Sequence, residues 1–257
     1  MKIVAWNCNM AFRRKLDPLL SLNPDIAVIS ECAQPDIVRE KLKDAAYKLP
    51  PNSDFIWIGS NKHKGLAILA FNGYKVKLAD CYDPKLRFIA PVEISRPDSK
   101  AADYHLLAAW AMHANDGIRK KAQAGPLRES LDIFDGFLQA KPCFAAGDFN
   151  NNVFWDKPGW KMNFEDTVAR FDQLGMISAY HEVMGEAQGD ESIPTHYWRD
   201  RTKDGPTYHI DFIFIPKGWE STIEQFEVGT FEDWCGSKLS DHVPLTLGIN
   251  APSNTQE

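Results

Sequence analysis

Short β-rich runs recur along this chain too often for one ordinary sheet, and their number constrains the fold more than any other feature. They stand at Ile3–Trp6, Asp25–Ser30, Phe55–Ile58, Leu66–Phe71, Lys75–Ala79, Phe88–Ile94, Tyr104–Met112, Cys143–Ala146, Ile210–Ile215, Thr222–Val228 and Val243–Leu247. Helical periodicity lies between them at Pro35–Leu49, Leu127–Leu138 and Asn163–Leu174. The second of these puts Leu127, Leu131, Phe134 and Leu138 on one face; the third carries Phe164, Val168 and Phe171. Two sheets packed face to face, each covered outside by helices, bury all of these faces. The expected fold is therefore α+β, a four-layer α/β/β/α sandwich of two mixed, mainly antiparallel sheets.

With 257 residues and 44% hydrophobic content the chain can bury a sizeable core. No linker-like tract or internal repeat interrupts it, so one domain is expected over residues 1–250, with a flexible tail at 251–257. A net charge of −6 argues against a broad basic face for indiscriminate duplex binding. Cys8, Cys32, Cys81, Cys143 and Cys235 are odd in number and lack Cys-x-x-Cys spacing, which suggests neither a disulfide framework nor a zinc site. No apolar run resembles a signal peptide or a membrane span, so a cytoplasmic protein without a membrane partner is expected. Nothing points to an obligate protein partner.

Several apolar runs end in polar groups, which are costly near a core unless satisfied or functional. Ile3–Trp6 ends at Asn7, Asp25–Ser30 at Glu31, and Cys143–Ala146 leads into Gly147-Asp148-Phe149-Asn150. Ser240-Asp241-His242 precedes the final run. Taken singly, Asn7 is an ordinary turn former and Glu31 an ordinary strand-end charge. Together they offer the carboxylate and amide oxygens that a hard cation such as Mg²⁺ accepts. Asp211 lies inside an apolar run, where a carboxylate needs a partner; His242 is the natural one, an imidazole that Asp211 would orient and keep protonated. His113 closes the run from Tyr104 and reads either as a satisfied strand-end histidine or as a general acid.

These pieces, in this order, resemble the endonuclease/exonuclease/phosphatase superfamily. Trp6-Asn7 is similar to its first strand, Glu31 to its metal-binding glutamate, and Gly147-Asp148-Phe149-Asn150 to its Gly-Asp-x-Asn signature. His209-Ile210-Asp211-Phe212-Ile213 is similar to its Ile-Asp-Tyr strand, and Ser240-Asp241-His242 to its closing Ser-Asp-His. The resemblance implies the same four-layer sandwich, with a site at one end where the sheets meet. It implies Glu31 as principal ligand of Mg²⁺ or Mn²⁺, helped by Asn7 and Asp241, and Asp148 as the group that positions and deprotonates the attacking water. Asn150 would hold that water or a phosphate oxygen. His242, oriented by Asp211, would stabilise the pentacovalent transition state, and His113 would contact phosphate or protonate the leaving oxygen.

The expected activity is divalent-metal-dependent phosphodiester hydrolysis, with DNA or RNA as the expected substrate. The run Ser30-Glu31-Cys32-Ala33 departs from the abasic-site branch, which usually has Gln before the metal-binding Glu and Thr-Lys soon after; His113 also stands where that branch has tyrosine. Arg13-Arg14-Lys15 follows the Asn7 strand and Arg119-Lys120-Lys121 follows the His113 strand. Arg13, Arg14, Arg119 and Lys120 are therefore candidate substrate-binding residues, with two solvated helix faces as the alternative. Trp155, Trp160, Tyr197 and Trp198 are candidate stacking surfaces for unpaired bases. Hydrolysis of small or lipid-like phosphoesters is the competing reading. A catalytically inactive binding module is disfavoured, because every expected polar position is filled.

Overall fold

The computed structural model describes residues 1–42, 49, 54–111, 125–160, 162–198 and 202–252. Strand β1 (Lys2–Asn7) runs parallel to β2 (Ile26–Cys32), and this pair sits at the centre of a six-stranded sheet. The sheet is completed by β3 (Asp54–Asn61), β4 (Lys64–Ala70), β13 (Ile223–Val228) and β14 (Leu245–Ile249), in the order β13-β14-β1-β2-β4-β3. The second sheet contains β5 (Lys75–Leu78), β6 (Ile89–Ser95), β7 (Tyr104–Trp110), β8 (Cys143–Asp148), β9 (Met176–Ser178) and β12 (Asp211–Pro216). Its order is β5-β6-β7-β8-β12-β9, and β7 and β8 are its parallel pair. All other pairings within the two sheets are antiparallel. A short ribbon of β10 (His196–Tyr197) and β11 (Thr207–Tyr208) lies apart from both.

Side-chain alternation builds the layers. Ile3, Ala5, Ile26, Val28, Leu66 and Ile68 from the first sheet pack with Val92, Leu106, Ala108, Phe144, Ala146 and Ile213 from the second, forming the inner core. The intervening residues face outward. Val4, Trp6, Ala27 and Ile29 are covered by Phe12, by Leu16 and Leu19 of α1 (Leu16–Ser21), and by Val38 of α2 (Pro35–Lys41). Leu107, Ala145, Phe212 and Phe214 are covered by Leu127, Leu131, Phe134, Leu138, Phe164 and Phe171. Helix, sheet, sheet and helix make the four layers expected from the strand pattern.

Three boundaries differ from the sequence reading. The helix expected at Leu127–Leu138 is two, α3 (Gly125–Ile133) and α4 (Asp135–Ala140), separated at Phe134, although the four apolar residues still bury together. The expected helix at Pro35–Leu49 is helical through Lys41, and residues 43–48 lie outside the described residues. The third helix, α5 (Phe164–Gln173), begins where the Asp166 carboxylate accepts the Asn163 backbone N–H at 2.7 Å. Strands β9 to β11 and the six-residue helices α1 and α6 (Ala179–Met184) are too short for periodicity to reveal. All five cysteines are free, and Cys8 and Cys32 sit in the outer core, turned away from Asn7 and Glu31. Among the described residues no helix is long and apolar enough to cross a membrane.

Candidate active site at the meeting of the two sheets

The central parallel pairs bring the C-terminal ends of β1, β2, β7 and β8 to one end of the sandwich, where the antiparallel β12 begins. Alternation then aims the polar termini inward. Asn7 continues the inward series of Ile3 and Ala5, Asp148 that of Phe144 and Ala146, and Asp211 that of Ile213. Glu31 is the exception, because a regular β2 would send it to the helix-covered face with Ile29. Its φ of 60° and the register shift between Ile29 and Cys32 turn it into the site instead.

Asp148 is fully buried, and its Oδ2 accepts the Asn7 amide at 2.9 Å and the Asn150 amide at 3.0 Å, while Oδ1 accepts the Asn150 backbone N–H at 2.8 Å. Asn150 makes both contacts from a left-handed φ of 50°, a conformation asparagine tolerates better than most residues. Gly147 is required for close approach: at φ 138°, a Cβ there would lie 1.9 Å from the Ala109 carbonyl oxygen on the parallel neighbour. The Asn7 amide also reaches Glu31 Oε1 at 3.5 Å, and its own Oδ1 accepts the Asn9 N–H at 2.9 Å. Asn7 thus ties the two carboxylates together.

Asp211 and His242 form a buried pair with Oδ2 2.8 Å from Nδ1. The Asp211 backbone N–H donates to Thr195 Oγ1 at 3.1 Å. The His242 segment is held by Ser240 Oγ, which accepts the His242 N–H at 3.1 Å and donates to the Asn7 carbonyl at 2.7 Å, and by Trp6, whose indole N–H donates to the His242 carbonyl at 3.0 Å. Burial alone would lower the imidazole pKa. The charges of Asp211, Asp148 and Asp241, with the Asp211 hydrogen bond, outweigh it and push His242 up to about 10. Burial, with Asp211 repulsion, raises Asp148 to about 7 against the lowering effect of His242, Asn7 and Asn150. The imidazole is cationic at neutral pH and the carboxyl is poised there.

The donor set suits a hard divalent cation. Asp148 and Asp211 are wholly buried, Glu31 is largely so, and the Asp211 Oδ1 has no hydrogen-bond partner. Asp148, Asp211 and His242 offer ligand atoms within 4.8 Å of one another. A cation bound to all three would have to compete with the 2.8 Å Asp211–His242 hydrogen bond, so Glu31, outside that pair, is the better centre of a cradle. Asp241 borders the site with its side chain about one-third exposed, 3.9 Å from His196 Nε2.

Asn7, Glu31, Asp148, Asn150, Asp211, Asp241 and His242 thus occur at one end of the sandwich. His113, Arg119 and Lys120 lie outside the described residues. Trp110, paired in register with Asp148, is the last β7 residue beside the site. Arg13 and Arg14 form a 3-10 turn after Asn9, Met10 and Ala11, all three with positive φ. Of the candidate stacking residues, Tyr197 is buried against Phe231 and offers no free face. Trp198 remains 42% exposed, Trp155 packs 4.8 Å from Tyr208, and Trp160 lies beneath the Lys157 ammonium. Sequence reasoning missed Lys64, whose ammonium is 3.2 Å from Glu31 Oε1, and His196, whose ring stacks 4.3 Å from that of His242. It also missed Thr195.

No protein-family model and no curated protein matches this sequence. Solved structures share its fold over nearly the whole chain. A 3′-phosphatase, NExo, from Neisseria, bound to a product DNA hairpin, superposes with a TM-score of 0.68 at 17% identity, covering 98% of this chain and 100% of its own. The 3′–5′ exonuclease NExo from Neisseria meningitidis gives 0.66 at 18% identity, with 98% and 100% coverage. An AP endonuclease from Archaeoglobus fulgidus gives 0.65 at 17%, again covering 98% and 100%. These neighbours belong to the endonuclease/exonuclease/phosphatase superfamily, and this chain has that superfamily's fold.

Proposed function

We propose that this chain, built on the endonuclease/exonuclease/phosphatase fold, is a nuclease that hydrolyses phosphodiester bonds of DNA or RNA with a divalent cation. The observation that carries this reading is the adjacency of two hydrogen-bonded units, Asn7–Asp148–Asn150 and Asp211–His242, at one end of the sandwich. Nucleic-acid-processing neighbours with the same fold support it.

Glu31 would hold Mg²⁺ or Mn²⁺, with Asp241 and the site's amide oxygens completing the protein contribution. When bound, the cation would supply Lewis-acid stabilisation of charge on the phosphate. Asp148 takes the proton of the attacking water, since it is the carboxylate held near pKa 7 and fixed at both oxygens. Asn150 and Asn7 keep that carboxylate aimed. His242, charged and locked by Asp211, donates to a non-bridging oxygen as the pentacovalent transition state gains charge. Its contribution grows from ground state to transition state, so it accelerates the reaction rather than merely tightening binding. Protonation of the leaving oxygen falls to His113 in this reading.

An activity screen tests it: single- and double-stranded DNA, RNA, abasic DNA and phosphomonoesters, each with Mg²⁺, Mn²⁺ and excess EDTA. Metal-dependent cleavage of a polynucleotide is expected. Turnover confined to phosphomonoesters would contradict the proposal.

A further inference from the structure

Beside the Glu31 end of the site lies a cleft of about 670 Å³ that the hydrolytic residues do not use. It opens between the β3–β4 hairpin, the loop ahead of β6 and the end of β7; its lining includes Asn61, Lys64, Tyr82, Arg87, Phe88 and Trp110. Phe88, half-buried, forms its aromatic wall, backed by the buried Trp110 ring with ring centres 4.7 Å apart. The Lys64 ammonium stands 5.2 Å over the Trp110 ring and 3.2 Å from Glu31 Oε1, so one side chain spans the cleft and the site. Among the described residues no carboxylate lines the cleft, although the chain carries a net charge of −6.

Arg87 adds a second cation from a strained backbone. Its φ of 52° and ψ of −107° lie outside the ordinary regions for a residue with a Cβ. The conformation is held by its N–H donating to the Pro84 carbonyl at 3.1 Å and its carbonyl accepting the Tyr82 hydroxyl at 2.7 Å. Strain kept where a side chain enters a cleft is characteristic of ligand contacts.

An aromatic face beside two cations recognises a planar ring attached to a phosphate. We propose that this cleft receives one unpaired nucleotide flanking the scissile phosphate, its base against Phe88 and its phosphates facing Lys64 and Arg87. The enzyme therefore prefers single-stranded nucleic acid to paired duplex. The inference rests on the nuclease reading and narrows its substrate.

The test measures binding of a fluorescent single-stranded oligonucleotide, and of a blunt hairpin of the same sequence, by anisotropy in the catalytically blocked Asp148→Asn protein. Adding Arg87→Gly, which removes the cation while easing the backbone, should weaken single-strand binding about tenfold and flatten its log-log salt slope by roughly 0.7. Phe88→Leu should cost a similar factor through lost stacking. Lys75→Ala, an exposed cation outside the cleft, should change neither quantity. The hairpin should bind more weakly than the single strand and be insensitive to Arg87→Gly. Unchanged single-strand affinity and slope in a folded Arg87→Gly protein, while the wild type still cleaves the oligonucleotide, would overturn the cleft assignment and leave the nuclease reading intact. Failure of the wild type to cleave any polynucleotide would overturn both.

Discussion

Asp211 Oδ2 lies 2.8 Å from Nδ1 of His242, and neither side chain is more than 5% exposed. An isolated buried carboxylate or imidazolium would be costly; the pair is sustained because each satisfies the other. The two residues should therefore act as one catalytic unit. His242→Ala is expected to lower kcat by about a thousandfold, and the double variant Asp211→Asn, His242→Ala should lose little more. Losses that multiply would show independent roles.

The same pair sets a pH dependence. His242 is raised to about 10 in the folded chain, from an unfolded value of about 6.5. Its contribution to stability is thus complete below about pH 6.5 and disappears as pH rises through about 10. Asp148, raised to about 7, acts in the same direction at lower pH: unfolding releases its proton between about pH 4 and 7, so stability falls across that window as pH rises. Thermal midpoints against pH should show the alkaline decline in wild type and not in Asp211→Asn. For kcat/KM the acid limb should lie at or below about 7, because a bound cation lowers the Asp148 pKa further, and the alkaline limb near 10.

Metal and base roles are separable. Glu31→Ala should weaken Mn²⁺ affinity by at least about tenfold, since it removes the carboxylate assigned to the cation. Asp148→Asn should hold metal and substrate much more nearly as wild type does while losing turnover. Isothermal titration with Mn²⁺ on both variants distinguishes them, and equal metal-binding defects would contradict the assignment.

Gly147→Ala should be strongly destabilising, by about 4 kcal/mol or more, because a backbone carbonyl occupies the Cβ position and φ is unfavourable as well. Urea denaturation reads this directly. A loss below about 1 kcal/mol would mean that β7 and β8 separate easily, and that Asp148 is less rigidly set than its hydrogen bonds indicate.

Replacing Arg13, Arg14, Arg119 and Lys120 with alanine should weaken nucleic-acid binding and lower the log-log salt slope, by roughly 0.7 per lost contact on single strands or about 0.9 on duplex. Unchanged affinity and slope would make both basic clusters solvated faces.

Much of this site was legible because polar residues terminate apolar runs. Asn7, Asp148 and Asp211 follow from strand alternation once two facing sheets are inferred, and the Asp211–His242 pairing follows from the cost of a buried carboxylate. Glu31 was found by its strand-end position, but what turns it inward is a positive φ and a register shift, which no residue pattern announces. Lys64 and His196 were not legible, since each reaches the site through non-local pairing, β4 against β2 and β10 against His242. Tyr197 was misread for a related reason: on a two-residue strand, alternation cannot tell the buried face from the open one. Leu127–Leu138 kept a continuous apolar face across a break at Phe134, so periodicity recorded the face and not the interruption.

The most direct test of the central claim is single-turnover cleavage of a labelled single-stranded oligonucleotide by wild type and Asp148→Asn, with Mg²⁺ or Mn²⁺ and again in excess EDTA. Cleavage by wild type that EDTA abolishes, and that Asp148→Asn slows by about a hundredfold or more while substrate binding persists, is the predicted result. Cleavage that survives EDTA, or that Asp148→Asn leaves unchanged, would contradict metal-assisted hydrolysis at this site.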